Sequence, residues 1–114
     1  MPPEEKDMAY FWDMLTAARE CRHIISRKSC DEFQTDITVM RATERCIEII
    51  GEAARRVSMI TREAHPQIPW SDIIGQRNIL AHEYGQIDYE LLYKTALQDV
   101  PDLIRLLESL LPSD

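Results

Sequence analysis

The chain has 114 residues, a formal net charge of −7, 45% apolar residues and only three glycines. That length supports a single domain, 1–114, built on one hydrophobic core. The composition favours helices over a turn-rich β fold, no run of about 18 apolar residues is present to span a membrane, and the acidic balance argues against general electrostatic binding of nucleic acid, which needs basic surface to displace counterions.

The N-terminal stretch MPPEEKDMAYFW lacks the basic-then-apolar order of a signal peptide, so a cytoplasmic location is expected. The first helix is expected from about Glu4 to Arg27. Met8, Phe11, Leu15, Ala18, Cys21 or Arg22, and Ile25 recur at three- and four-residue steps and form one face. Pro2 and Pro3 stand where a helix start tolerates proline. Cys21, Cys30 and Cys46 are odd in number and show no C-x-x-C spacing. They read as small buried hydrophobes in a reducing compartment, and neither a disulfide framework nor a metal site is expected.

A second helix is expected to open at DEFQ, where Asp31 followed by Gln34 has the capping-box spacing. Met40, Thr43, Ile47, Ile50, Ala54 and Val57 then make an apolar stripe. Arg41, Arg45, Glu48, Glu52, Arg55 and Arg56 read as the opposite, salt-bridged and solvated face. Arg55, Arg56 and Arg62 make the one basic cluster. Gly51 costs roughly 1 kcal/mol against Ala inside a helix; beside Ala53 and Ala54, it points to close approach of another helix. REAHPQIP breaks the pattern at Pro66 and Pro69, and His65 reads as a solvated loop histidine with an accessory role possible.

The third helix is expected from about Trp70 to Tyr84, with Gly85 as its stop. The fourth begins near Asp88, carries the stripe Leu92, Ala96, Val100, Leu103, Leu107 and Leu110, and should kink at Pro101. The fold class is therefore all-α, an antiparallel helical bundle of four to five helices with the last one kinked.

The third helix carries the stretch RNILAHEYG. At about 100° per residue, Trp70, Ile73, Ile74, Leu80 and Ala81 share an inward arc. Arg77 stands at the centre of that arc and Tyr84 lies nearly in line with it. A guanidinium so placed must be paired or must border a wet cleft. No acid is an obvious partner, because Glu48 and Glu52 read as lying on the wrong face of the second helix. Asn78 and His82 stack four residues apart at the edge of the arc. No second ligand stands at metal-binding spacing from His82. The group suits phosphate chemistry: arginine holds two phosphate oxygens in a fork, and histidine moves protons near neutrality.

At these residues the chain resembles a known family. R-x4-H, here Arg77 to His82, is the signature of the HEPN superfamily. The fuller RNILAHEY resembles the HepT toxins of the HepT/MntA toxin–antitoxin systems, as do YFWDMLTAARE, ERCIEIIGEAARRVS and HPQIPWSDIIGQRNILAHEYGQID. The resemblance implies a dimeric HEPN-like bundle with two Arg/His sets across a shared cleft, acting as the toxin of a type VII-like system. It implies metal-independent endonucleolytic cleavage of RNA, tRNA or mRNA, with Arg77, Asn78 and His82 as the catalytic residues and no cofactor. It further implies a partner, an MntA-like nucleotidyltransferase antitoxin that adds AMP to Tyr84 and so blocks the cleft.

Two other readings compete. In one, the chain is a non-catalytic partner that binds nucleotide or substrate for a nucleotidyltransferase, which the acidic surface suits. In the other, it is a purely structural dimeric bundle. A homodimer through the third and fourth helices would cover the remaining apolar surface and bring the two Arg77 side chains to one cleft.

Overall fold

The computed structural model describes the backbone at residues 3–80 and 87–112 and the side chains at residues 5–75 and 87–112. Over these residues the chain forms six helices: α1 (Pro3–Ile25), α2 (Cys30–Gln34), α3 (Ile37–Arg56), α4 (Met59–Ala64), α5 (Trp70–Leu80) and α6 (Tyr89–Leu110). The all-α class holds, with six helical segments instead of four to five. None of these helices is long and apolar enough to cross a membrane.

The extra segments come from caps that interrupt the expected second helix. Ser29, not Asp31, starts α2. Its Oγ accepts from the Glu32 N–H at 3.1 Å, and Glu32 Oε1 accepts from the Ser29 N–H at 3.1 Å. That reciprocal box satisfies two donors a helix start leaves bare, and it holds the Glu32 carboxyl below the usual carboxylate range. Asp36 then opens α3, accepting from the N–H groups of Thr38 at 3.1 Å and Val39 at 3.2 Å. α1 stops at Ile25, two residues short of the expected end, and Arg27 takes a left-handed φ of 62° just beyond it. α6 opens at the Asp88 cap and runs through Pro101.

The core lies where α1 packs against α3 and α6. Phe11, Met14, Leu15, Ala18 and Cys21 of α1 meet Ile50 and Ala54 of α3 and Leu92, Ala96, Ile104 and Leu107 of α6, all nearly or fully buried. These are the stripes that helical periodicity marks in the sequence. Phe33 of α2 closes one end against Tyr93, with ring centroids 5.3 Å apart.

Asp7, in the first turns of α1, is 3% exposed. It accepts from the Ser58 N–H at 2.9 Å, the Ser58 hydroxyl at 2.7 Å and the Thr61 hydroxyl. Burial alone would raise its pKa. The hydrogen bonds from Thr61 and Ser58 and the charge of Arg62 outweigh that effect and hold it below the ordinary value. The carboxylate thereby ties α1 to Ser58, the cap of α4.

Candidate active site

The cleft begins at Gly51. A Cβ there would stand 3.2 Å from the Ile73 carbonyl oxygen, so α3 and α5 touch backbone to backbone. The close approach expected at this glycine is found, and the neighbour is α5. The start of α5, at Trp70 and Ser71, borders a surface depression with Met59 and Arg62, which follow α3. Ile87, beyond the end of α5, borders a cavity with Glu44 in the N-terminal half of α3.

That second cavity has a volume of about 100 Å³. Its α5 side is apolar, with Ile73 and Ile74. Its α3 side is charged, with Glu44, Glu48, Glu52 and Arg55 around Gly51. Glu48 is thus not on the solvated face where periodicity put it. It is half-buried at the rim, with Oε2 3.4 Å from Nη1 of Arg45. The reason is geometric: Glu44, Glu48, Gly51 and Arg55 share one edge of α3, and α5 lies over that edge. Gly51 was the available signal, since residues one and two turns before a helix-contact glycine flank the same contact.

Glu44 accepts a hydrogen bond from the Tyr89 hydroxyl at 2.9 Å, and Arg41 stands 3.8 Å from the same oxygen. Burial raises the pKa of Tyr89, and the Glu44 hydrogen bond and charge raise it further against the opposing charge of Arg41. This pair joins the start of α6 to α3 across the cleft. Sequence reading missed it, because nothing local links residues 45 positions apart.

Arg77 and Asn78 are in α5, one turn beyond Ile73 and Ile74, on the helix that faces the charged edge of α3. Their side chains lie outside the described residues, as do His82, Tyr84 and the expected stop at Gly85. Asp72 is exposed and Ile73 is buried. His65 is half-buried, edge-on to Phe11 with centroids 6.0 Å apart, and its carbonyl accepts from Trp70 Nε1 at 3.0 Å. The basic cluster divides. Arg62 turns back on the end of α3, donating through Nε to the Val57 carbonyl at 3.0 Å, while Arg55 and Arg56 stay exposed. Among the described residues, no three His, Cys, Asp or Glu side chains are placed to hold a metal ion.

The described residues therefore form an all-α bundle with a small charged cleft between α3 and α5, the helix that carries Arg77 and Asn78. The family model described as "Ribonuclease HepT-like" matches residues 14–110. The chain belongs to this ribonuclease family. It is 38% identical over 83% of its length, and 87% of the relative's, to a Methanocaldococcus jannaschii protein named as a candidate RNase. A Caldanaerobacter subterraneus protein named in the same way is 34% identical, covering 84% of this chain and 88% of its own. A Thermococcus cleftensis protein named "probable ribonuclease HepT" is 35% identical over 68% of this chain and 72% of its own. No solved structure matches.

Proposed function

We propose that this chain is the toxin of a two-component toxin–antitoxin system and a metal-independent RNA endonuclease that uses Arg77, Asn78 and His82. The supporting observation is that Arg77 and Asn78 belong to α5, whose Ile73 and Ile74 line a cavity with the charged edge of α3, in a chain of the HepT-like family. His82 takes the proton of a ribose 2′-hydroxyl as that oxygen attacks the adjacent phosphorus. The bond from phosphorus to the 5′-oxygen breaks and that oxygen takes a proton from water, leaving a 2′,3′-cyclic phosphate and a 5′-hydroxyl. Arg77 stabilises the charge that gathers on the phosphoryl oxygens, the task of a preorganised cation. Asn78 positions the phosphate.

The partner is an MntA-like nucleotidyltransferase that transfers AMP from ATP to the Tyr84 hydroxyl, releasing pyrophosphate and the phenol proton. The added phosphate competes with RNA for Arg77 and the base obstructs the cleft. A homodimer through α5 and α6 completes the assembly. In support, a groove of about 350 Å³ lies between these helices over Ile73, Val100, Leu103 and Leu106, and Leu97 of α6 is 49% exposed.

The test is incubation of the purified protein with total tRNA and with mRNA in EDTA, beside His82→Ala. Cleavage by the parent alone is the expected result. Cleavage by neither, from protein of unmodified mass, would move the function to a non-catalytic partner of a nucleotidyltransferase. The acidic rim of Glu44, Glu48 and Glu52 favours that second reading. A monomer by light scattering would remove the dimer.

A further inference from the structure

The acidic balance of the chain hides one acid-free stretch. CRHIISRKSC, residues 21–30, carries Arg22, His23, Arg27 and Lys28 and no Asp or Glu. It forms the corner where α1 ends and α2 begins. Arg22, His23 and Arg27 are exposed and Lys28 is half-buried. Cations elsewhere are mostly committed. Arg41 and Arg45 pair with glutamates along α3, and Lys94 and Arg105 pair with Glu90 and Asp102 on α6. Arg55 and Arg56 are exposed but border acids: Arg55 shares its cavity with Glu44, Glu48 and Glu52, and Arg56 shares a groove with Asp13, Glu20 and Glu52. Among the described residues, no corner side chain is in an ion pair or a hydrogen bond, and Lys28 only lends its charge to the nearby Glu32 carboxyl.

A helix end attracts cations, which accounts for Arg22 and His23 in the last turn of α1. It does not account for Arg27. The φ of 62° there lies in the left-handed region, where a Cβ is strained and glycine is the usual occupant after a helix. An arginine kept at such a position points to a use for its guanidinium. The corner is also held in place. The Tyr93 hydroxyl donates to the Lys28 carbonyl, and Tyr89, one turn earlier in α6, donates to Glu44 at the rim of the cleft. About 5.4 Å of helix axis separates those two anchors, so the corner and the cleft flank the same end of α6.

We infer that Arg22, His23, Arg27 and Lys28 form a second contact surface for RNA, gripping the phosphate backbone of a strand whose scissile bond lies in the cleft. Arginine meets phosphate oxygens through two parallel N–H groups, and such contacts supply affinity and orientation without reading sequence. The identity of the strand as substrate rests on the ribonuclease reading above; its binding does not require cleavage.

The experiment measures both on the full chain. Binding of total tRNA is followed by filter retention between about 50 and 200 mM salt, with His82→Ala as the background so that the probe stays whole. Cleavage kinetics are followed in the otherwise parental chain. Arg22→Gln/Arg27→Gln/Lys28→Gln is expected to weaken tRNA binding by roughly 10- to 100-fold and to flatten the log–log salt slope by about 2, near 0.7 per lost phosphate contact. In cleavage it should raise KM and leave kcat within about twofold, since the lost contacts serve ground and transition states alike. Lys6→Gln/Arg45→Gln/Arg105→Gln removes the same charge elsewhere and should shift binding by under about threefold. Arg27→Gly separates contact from strain: its melting temperature should hold or rise while tRNA binding weakens about threefold. If the parent cuts no RNA but the corner variant still loses affinity and slope, the ribonuclease reading fails and the surface stands. No tRNA binding by any form, unchanged affinity and slope in the corner variant, a loss confined to kcat, or an equal loss in the control variant would each overturn the inference. Corner-dependent binding of poly-glutamate with tRNA affinity untouched would overturn it too, and assign the corner to an acidic protein.

Discussion

The interface of α1, α3 and α6 and the interface of α3 with α5 use the same helix, α3, in opposite ways. The first is a dry apolar seam. Cys21 lies in it fully buried, and burial together with the neighbouring Cys46 pushes its thiol up to about 12. Burial, with Glu20 nearby, raises the Cys46 thiol too. Neither is the thiolate that reactive or metal-binding cysteines require. The second interface touches through a bare glycine and leaves a small cavity walled by carboxylates and an arginine. One seam carries stability; the other holds charge beside the helix that bears the motif. A bundle can do both because α3 buries a wide stripe and shows a polar edge on either side of it.

The comparison is broken most severely inside the dry seam. Truncating Leu15 or Leu107, 1% and 0% exposed, to alanine should cost about 2–5 kcal/mol, transfer and cavity terms together. Denaturant unfolding should show it as a lower midpoint at unchanged slope. Gly51→Val strikes the second interface. Overpacking of this kind costs typically about 1–3 kcal/mol, and the branch must push α5 away from α3, so RNA cleavage should fall by more than the stability loss explains.

Asp7→Asn comes next, at about 1–3 kcal/mol for disturbing a buried, fully bonded carboxylate. Its pH dependence has a definite sign. The folded-state pKa lies below the ordinary 3.8, so on acidification the unfolded chain takes the proton first. The stabilisation is complete above about pH 4 and is lost as pH falls through the folded value. Acid titration of the melting temperature should be flatter in Asp7→Asn than in the parent.

Tyr89→Phe removes the hydroxyl bond to Glu44 and should cost about 0.5–1.5 kcal/mol. Here the shift is upward, so the contribution is complete below about pH 10 and is lost at higher pH as the unfolded tyrosine ionises first. Thermal melts of parent and variant across that range should converge. The smallest effect is expected at the surface. Arg45→Ala breaks exposed pairs with Glu48 and Glu52, both at 3.4 Å, and should shift stability by under about 1 kcal/mol. A larger loss would mean that the outer rim of the cleft matters to the fold.

Much of the architecture was legible in advance. The stripes of α1, α3 and α6 are buried much as periodicity marks them, and Asp88 caps α6 with an acceptor 3.1 Å from the Leu91 N–H. The interruption at Thr35 and Asp36 was not foreseen, although Ser29-Cys30-Asp31-Glu32 carried the true box. Two candidate caps lay within three residues, and spacing alone does not rank them. Asp7 was also missed. Nothing local in the charged run EEKD marks it for burial, and the hydroxyls that bury it arrive 51 and 54 residues later.

What the sequence determined by itself is local and periodic: helices, their apolar faces, the glycine that marks a close contact, and the spacing of Arg77, Asn78, His82 and Tyr84 that resembles the HepT motif. Those properties depend on residues within a turn or two of one another. Which helix lies over which edge was settled only by tertiary packing. A helical wheel gives each side chain a direction about its own axis, and no more. Glu48 is a surface acid on an isolated α3; it becomes the wall of a cleft because α5 docks at Gly51.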